Sequence, residues 1–163
     1  MLDDKFRTYV ILDNVRSAFN VGAIFRTCDA THCTLIILIG ITPTPKHIKM
    51  DKTSVGAINF VPWMYFESFV VAKEWIMDND KQFNGQTHFS AVEQSDNSIS
   101  FYNQPAYLSM AFIFGHEITG ISVQTLNLAS DIVEIPMFGK KNSLNVATTV
   151  GIVLYERIRV ITQ

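Results

Sequence analysis

Met137-Phe138-Gly139-Lys140-Lys141-Asn142-Ser143-Leu144-Asn145-Val146-Ala147-Thr148-Thr149-Val150-Gly151-Ile152-Val153-Leu154-Tyr155-Glu156 decides how the chain ends, and with it the fold. It opens as a polar, glycine-containing loop after the apolar run 132–136, then becomes a helix pattern that reaches almost to Gln163. Val146, Val150, Val153, Leu154 and Ile158 recur at helical spacing and predict one buried face. Ala147, Thr148, Thr149 and Gly151 keep another face thin, so a neighbouring backbone can come close. Asn142 or Ser143 is the expected N-cap, because a short side-chain oxygen accepts from the free N–H groups of a first turn. A helix start beside Lys140, Lys141 and a Ser/Asn pair suits a polar ligand. It equally suits an ordinary buried C-terminal helix with a good cap.

Upstream of this stretch, strand patterns alternate with helix patterns. Strands are expected at residues 8–12, 34–39, 60–65, 88–92, 108–114 and 132–135. Helices are expected at 20–30, with Val21, Ile24, Phe25 and Cys28 on one face, at 68–77, with Phe69, Ala72, Trp75 and Ile76 inward, and at 122–128. Two prolines make 41–51 an irregular surface loop, and 79–85 reads as a turn. Residues 95–104 are polar and carry no period. Several strands are near-continuous apolar runs, which belong to a sheet buried on both sides. The expected fold class is therefore α/β, a largely parallel sheet with helices on both faces. Ligands in such sheets lie outside the carboxyl ends of the strands. Three polar or glycine-bearing segments fall there: 13–26, 115–120 and 137–145.

The totals bound the partners. A chain of 163 residues fits one domain, 1–163, with a full core. With 48% hydrophobic and only 17% charged residues, disorder is excluded, and some apolar surface is expected to be covered, most simply by a second copy. A net charge of -2 excludes a strongly basic nonspecific nucleic-acid binder, so any RNA site must be a local patch. Arg16, Lys46, Lys49, Lys52, Lys140 and Lys141 are the candidates for it, set against the plainer reading that they are scattered solubilising charges. Met1 to Arg7 is polar and no apolar run is long enough to span a bilayer, so a cytoplasmic protein with no membrane partner is expected. Cys28 and Cys33 make no disulfide framework and, with His32, only a poor zinc set. Both are expected as reduced thiols, and no metal is expected.

Gly115-His116-Glu117-Ile118-Thr119-Gly120 has the glycine spacing of a phosphate loop, but Ile121 and Ser122 follow, so the essential lysine is missing and a nucleotide triphosphatase is not expected. No GxGxxG follows a strand either. Taken alone, the segment is a tight turn with a solvated Glu. Asn20 and Arg26 are six residues apart and could share one end of a loop–helix element. An Arg beside the apolar positions Ile24, Phe25 and Cys28 calls for a partner or a ligand anion.

Taken together and in order, three segments carry more. They are Asn20-Val21-Gly22-Ala23-Ile24-Phe25-Arg26-Thr27, Phe114-Gly115-His116-Glu117-Ile118-Thr119-Gly120, and Ile135-Pro136-Met137 with Ser143-Leu144-Asn145-Val146. They resemble the three signature motifs of the SpoU (TrmH) family of RNA ribose 2′-O-methyltransferases, in the SPOUT superfamily. The resemblance covers nearly the whole chain, and Lys52 to Ala57 is similar to the family's segment before its third strand. It implies an α/β domain with a C-terminal trefoil knot, a fold that topology rules alone would not suggest. It also implies S-adenosylmethionine bent into the knotted loops, and a homodimer whose site is completed across the interface. By match to the motifs, Asn20, Arg26, Glu117, Ser143 and Asn145 are the implied catalytic set. Gly115, Ile135 and Leu144 are implied to hold the cofactor through backbone, with Val92 as a fourth.

His116 departs from the small or polar residues usual at its place, and the third motif continues Ala147-Thr148-Thr149 where Ser and Ala are frequent, a small change that leaves the helix intact. The terminal extensions that several members use to grip RNA are not expected, so the chain resembles the minimal members. Size then favours tRNA over rRNA as substrate. In the implied reaction the sulfonium donor is already activated, so alignment and care of the hydroxyl proton are the main tasks. Arg26 suits the phosphate beside the target ribose, or the developing alkoxide, better than the role of a base. Glu117 would orient Arg26 or Asn20, or fix the cofactor loop. Ser143 and Asn145 would supply neutral hydrogen bonds. Asn145 as a helix cap and Glu117 as a surface turn residue are the structural alternatives. A noncatalytic knotted RNA-binding or assembly module is the alternative function.

Overall fold

A computed structural model describes residues 5–81 and 86–163. The part of the expected 79–85 turn from residue 82 on lies outside the described residues. Seven strands form one sheet: β1 (Arg7–Asp13), β2 (Leu35–Ile39), β3 (Trp63–Phe66), β4 (Thr87–Val92), β5 (Ile99–Ser100), β6 (Ser109–Phe114) and β7 (Asp131–Glu134). Their order across the sheet is β3-β2-β1-β6-β4-β7-β5, and every pairing is parallel. The helices are α1 (Ala18–Ala30), α2 (Asp51–Ser54), α3 (Phe69–Asn79), α4 (Val123–Leu128) and α5 (Val146–Ile161). The expected parallel α/β architecture is the one observed.

Burial on both faces follows from the residue types. All five residues of β2, Leu-Ile-Ile-Leu-Ile, are buried, as are all six of β6. Alternation then splits the core in two. Val10, Leu12, Ile36, Leu38, Met110 and Phe112 face α1 and α5, meeting Val21, Ile24, Phe25, Val150 and Leu154. Tyr9, Ile11, Ile37, Phe89, Ala111 and Ile113 face the other way, onto Phe69, Ala72 and Ile76 of α3. Each fully buried Leu, Ile or Phe contributes roughly 1.5–3 kcal/mol. A charge at Ile37, in the middle of β2, would break this layer.

Three boundaries differ from the sequence expectation. The C-terminal helix starts at Val146, and its N-cap is Asn145, not Asn142 or Ser143. Asn145 Oδ1 accepts from Ala147 N–H at 2.9 Å and Thr148 N–H at 3.4 Å, leaving residues 137–144 as a loop. The apolar run 60–65 gives its strand three residues late, at Trp63, and Phe60 stays largely exposed. Residues 95–104 hold β5 and a 3₁₀ turn, Phe101–Asn103, around the buried Phe101. A two-residue strand is too short to show a period.

The amino end of the sheet closes over a buried carboxylate. Asp80, fully buried behind α3, accepts from Tyr9 Oη and Thr87 Oγ1 at 2.6 Å each, and from Ser109 Oγ. Burial first, and the hydrogen bond to Asp80 second, push the Tyr9 phenol well above its usual range. Among the described residues no helix is long and apolar enough to cross a membrane, and no cluster of His, Cys, Asp and Glu could hold a metal.

Candidate active site

The carboxyl end of the sheet holds a second polar cluster, and it is open. The three segments singled out in the sequence leave the carboxyl ends of strands on one side of the sheet: 14–17 follows β1, 115–122 follows its neighbour β6, and 135–145 follows β7, one strand beyond β4. Glu117 joins the first two. Its Oε2 accepts from Arg16 N–H at 2.9 Å, and its Oε1 accepts from Ser17 N–H at 3.0 Å and Asn20 Nδ2 at 2.9 Å. Partial burial raises the carboxyl's pKa, but the bonds from Arg16, Asn20 and Ser17 together outweigh it and leave the group below the usual carboxylate range. Asn20 continues the chain, its Oδ1 accepting from Asn145 Nδ2 at 3.1 Å. Asn145 in turn caps α5, so it serves as both cap and network member. Glu117, Asn20 and Asn145 thus tie the starts of α1 and α5 to the turn after β6.

That turn is built on close approach. A Cβ on Gly115 would come within 2.5 Å of the Gly120 and Ile121 backbone. Gly120 has φ +68°, and a Cβ there would lie 2.3 Å from Glu93 Oε2, which accepts from Ile121 N–H at 3.0 Å. Glu93 stands just beyond β4, and the sequence reading missed it. An acidic residue directly after an apolar strand's carboxyl end was the available signal.

Two clefts meet at this cluster. The first, about 460 Å³, is bounded by the turns after β4, β6 and β7. Val92, Gly115, Ile135 and Leu144 all line it, as do Glu117, Ser143 and Asn145. The second, about 490 Å³, is lined by Arg16, Phe19, Asn20, His47 and Lys49, with Glu117 and Asn145 again in its wall. His116, Glu117, Ile118 and Asn145 belong to both. The arrangement can hold two ligands side by side with a ridge of hydrogen-bonding groups between them.

Arg26 is not brought to this cluster. It is exposed on α1, and among the described residues it has no hydrogen bond or ion pair and lines neither cleft. Six helical residues carry it about 9 Å along the axis and about 120° around from Asn20, so the two do not share one end of a loop–helix element as expected. The pairing of Glu117 with Arg26 is also not seen, because Arg16, Ser17 and Asn20 take the carboxylate. Of the basic candidates, Arg16 and Lys49 line the second cleft, whereas Lys46, Lys52, Lys140 and Lys141 are exposed outside both clefts. His47 and Phe19 join that wall without having been singled out.

Comparison with known proteins gives this geometry a family. Residues 7–155 match the model of the SpoU rRNA Methylase family. A protein of Staphylococcus saprophyticus named for the TrmH family of tRNA/rRNA methyltransferases is 28% identical over 161 residues, which cover 96% of this chain and 60% of that protein. An AdoMet-bound rRNA methyltransferase from Sinorhizobium meliloti superposes with a TM-score of 0.80 at 26% identity, over 94% of this chain and 56% of that one. The A. aeolicus TrmH/SpoU tRNA modifying enzyme does so with a TM-score of 0.80 at 27% identity, over 94% of this chain and 74% of that one. This chain therefore spans about three-fifths of the length of the curated relatives it matches. It belongs to the SpoU rRNA methylase family.

Proposed function

We propose that this SpoU-family chain transfers the methyl group of S-adenosylmethionine to a ribose 2′-hydroxyl of RNA, with tRNA favoured over rRNA. The observation that carries the reading is the Asn20–Glu117–Asn145 network, standing between two clefts at the carboxyl ends of β1, β6 and β7. The first cleft is assigned to the cofactor. Val92, Gly115, Ile135 and Leu144 surround it. The cofactor supplies an activated methyl. This chain's own residues orient the acceptor: Glu117 fixes Asn20 and the 16–17 backbone, and Asn145 and Ser143 offer neutral hydrogen bonds at the ridge. The reading includes the C-terminal trefoil knot, in which the segment ending in α5 threads through a loop.

The second cleft is assigned to the target nucleotide, with Arg16 and Lys49 for phosphate. Arg26 is assigned to the same reaction, delivered from one protomer of a homodimer to the site of the other. Its exposure away from its own cluster supports this. So do the exposed Phe19, Val55, Phe60 and Tyr155, which lie on or beside α1 and the two helices that pack on it, α2 and α5. A guanidinium delivered there clamps the neighbouring phosphate or the developing alkoxide. Incubation with methyl-labelled S-adenosylmethionine and total RNA, followed by nucleoside digestion, tests the proposal. Label in a 2′-O-methyl nucleoside is expected. Label in a base, or in no RNA, would overturn it.

A further inference from the structure

His116 stands on the ridge between the clefts and is held from both sides. Its main chain bridges to Gly120, His116 N–H donating to Gly120 O at 3.2 Å and Gly120 N–H donating back at 2.9 Å. Its ring Nδ1 accepts from Ile118 N–H at 3.0 Å and Thr119 N–H at 3.4 Å. Two N–H groups aimed at Nδ1 require the lone pair there, so the proton of the neutral ring sits on Nε2. The turn therefore presents Nε2 as a fixed donor. His116 lines both clefts, together with Glu117, Ile118 and Asn145. No member of that Glu117–Asn20–Asn145 network bonds to the ring.

We propose that His116 is a positioning residue that donates from Nε2 to a ribose–phosphate oxygen of the target nucleotide. The proposal rests on the methyl-transfer reading above. A methyl passing from one cleft to the other must cross the ridge, so the sugar that receives it lies there, within reach of whatever the ridge presents. Arg16 and Lys49, in the wall of the second cleft alone, attract phosphate at range but set no angle. A ring anchored through backbone and Nδ1 offers its donor at one fixed place, a contact made equally before and during transfer, so its loss shows in KM rather than kcat. With Nδ1 occupied and Nε2 already protonated, the ring holds the nucleotide and leaves the 2′-hydroxyl proton to another acceptor.

Two substitutions separate this role from a merely structural one. In His116→Asn the side-chain oxygen can accept from Ile118 N–H as an Asx turn, so the turn is kept and only the outer donor is lost. In His116→Gln the amide nitrogen reaches about as far as Nε2 and restores the donor. His116→Asn should raise the KM for RNA about tenfold, the scale of one net hydrogen bond at about 1.4 kcal/mol per decade, with kcat and S-adenosylmethionine affinity within about twofold. His116→Gln should bring KM back to within about threefold of wild type. A wild-type KM in His116→Asn, or His116→Gln no better than Asn, overturns the inference while leaving the methyl-transfer reading intact. A wild-type protein that binds no S-adenosylmethionine and labels no RNA overturns both.

Discussion

Asp80 and Glu117 lie at opposite ends of the same sheet, and each carboxylate takes three hydrogen bonds, but from different kinds of donor. Asp80 is fully buried and is served by side chains from three strands, Tyr9, Thr87 and Ser109. Glu117 is exposed and is served by two backbone N–H groups and by Asn20, which passes the connection on to Asn145. The amino-end cluster is closed: a donor removed from it has no water to turn to. The carboxyl-end cluster faces two clefts and lacks the one cation the sequence assigned to it. The same valence thus does two jobs, and desolvation decides which. The first cluster holds strands in register. The second is open to two clefts, where a ligand has access.

The comparison breaks most visibly at Asp80. Asp80→Ala takes the acceptor from Tyr9 Oη and from one of the hydroxyls Thr87 Oγ1 and Ser109 Oγ, which keep each other at 3.0 Å, and takes the carboxylate from Arg7 Nε, 4.0 Å away; at roughly 1–3 kcal/mol each, a loss of about 4 kcal/mol is expected. At roughly 2–4 °C per kcal/mol for a chain of this size, thermal melts should fall by about 10 °C or more. S-adenosylmethionine affinity per folded molecule should hold. A melt within about 2 °C of wild type would show that the buried cluster does not have the weight given to it here.

Arg26→Ala should do the reverse. Its expected cost is about 2.7–4 kcal/mol in the transition state, about a hundredfold or more in single-turnover rate, with the melt unchanged. Arg26→Lys should rescue poorly, since a point charge does not reproduce a planar fork. A large loss of melting temperature with a near-normal rate per folded molecule would make Arg26 structural.

Glu117→Gln is expected to lower transfer about tenfold while costing under about 1 kcal/mol of stability, because its site is open to water. The sign of its pH dependence is fixed by its lowered pKa. The carboxylate's contribution is complete above the unfolded value of about 4.3 and is lost only as pH falls through the lower folded value. Melts between about pH 5 and 8 should therefore be unaffected by this group, and the difference between wild type and Glu117→Gln should shrink only below about pH 4.3. A difference that disappears already near pH 6 would contradict the assignment.

The architecture was readable because both core layers are written as runs and periods. Val21, Ile24, Phe25 and Cys28 announced the inner face of α1, and all are fully buried. The positions around the first cleft were readable through motif order, and Val92, Gly115, Ile135 and Leu144 do line one space. What could not be read was settled by pairing across the chain. Asn145, offered by the sequence as an alternative cap beside Asn142 and Ser143, is the one that caps α5, and its amide also bonds Asn20, a partner 125 residues away that no local pattern marks. Arg26 looked close to Asn20 in sequence, but a helix rotates residues six apart onto different faces. Asp80 looked like one more turn residue after a helix. Its three partners come from the starts of separate strands, and no local pattern marks it.

The smallest expected effect sharpens the same contrast. Arg157 of α5 is buried, donates through Nη2 to Tyr107 O, and leaves Nε and Nη1 without a hydrogen-bond partner. Burial lowers its pKa to about 10. Unlike Asp80 it is only partly served, so Arg157→Met, which keeps much of the volume, should change stability by less than about 1 kcal/mol or raise it. A loss comparable to that of Asp80→Ala in denaturant titration would mean that the guanidinium is better satisfied than its contacts show.

In the proposed reaction the open cluster is finished by the Arg26 of a second copy. Mixing two individually weak variants, Arg26→Ala and Glu117→Ala, under conditions that let protomers exchange, tests it most directly. Random exchange makes about half of the dimers mixed, and each mixed dimer holds one site with both Glu117 and a donated Arg26. Transfer activity should therefore recover to about a quarter of wild type. Mixed dimers verified by native mass spectrometry, with no recovery above the separate variants, would contradict the claim.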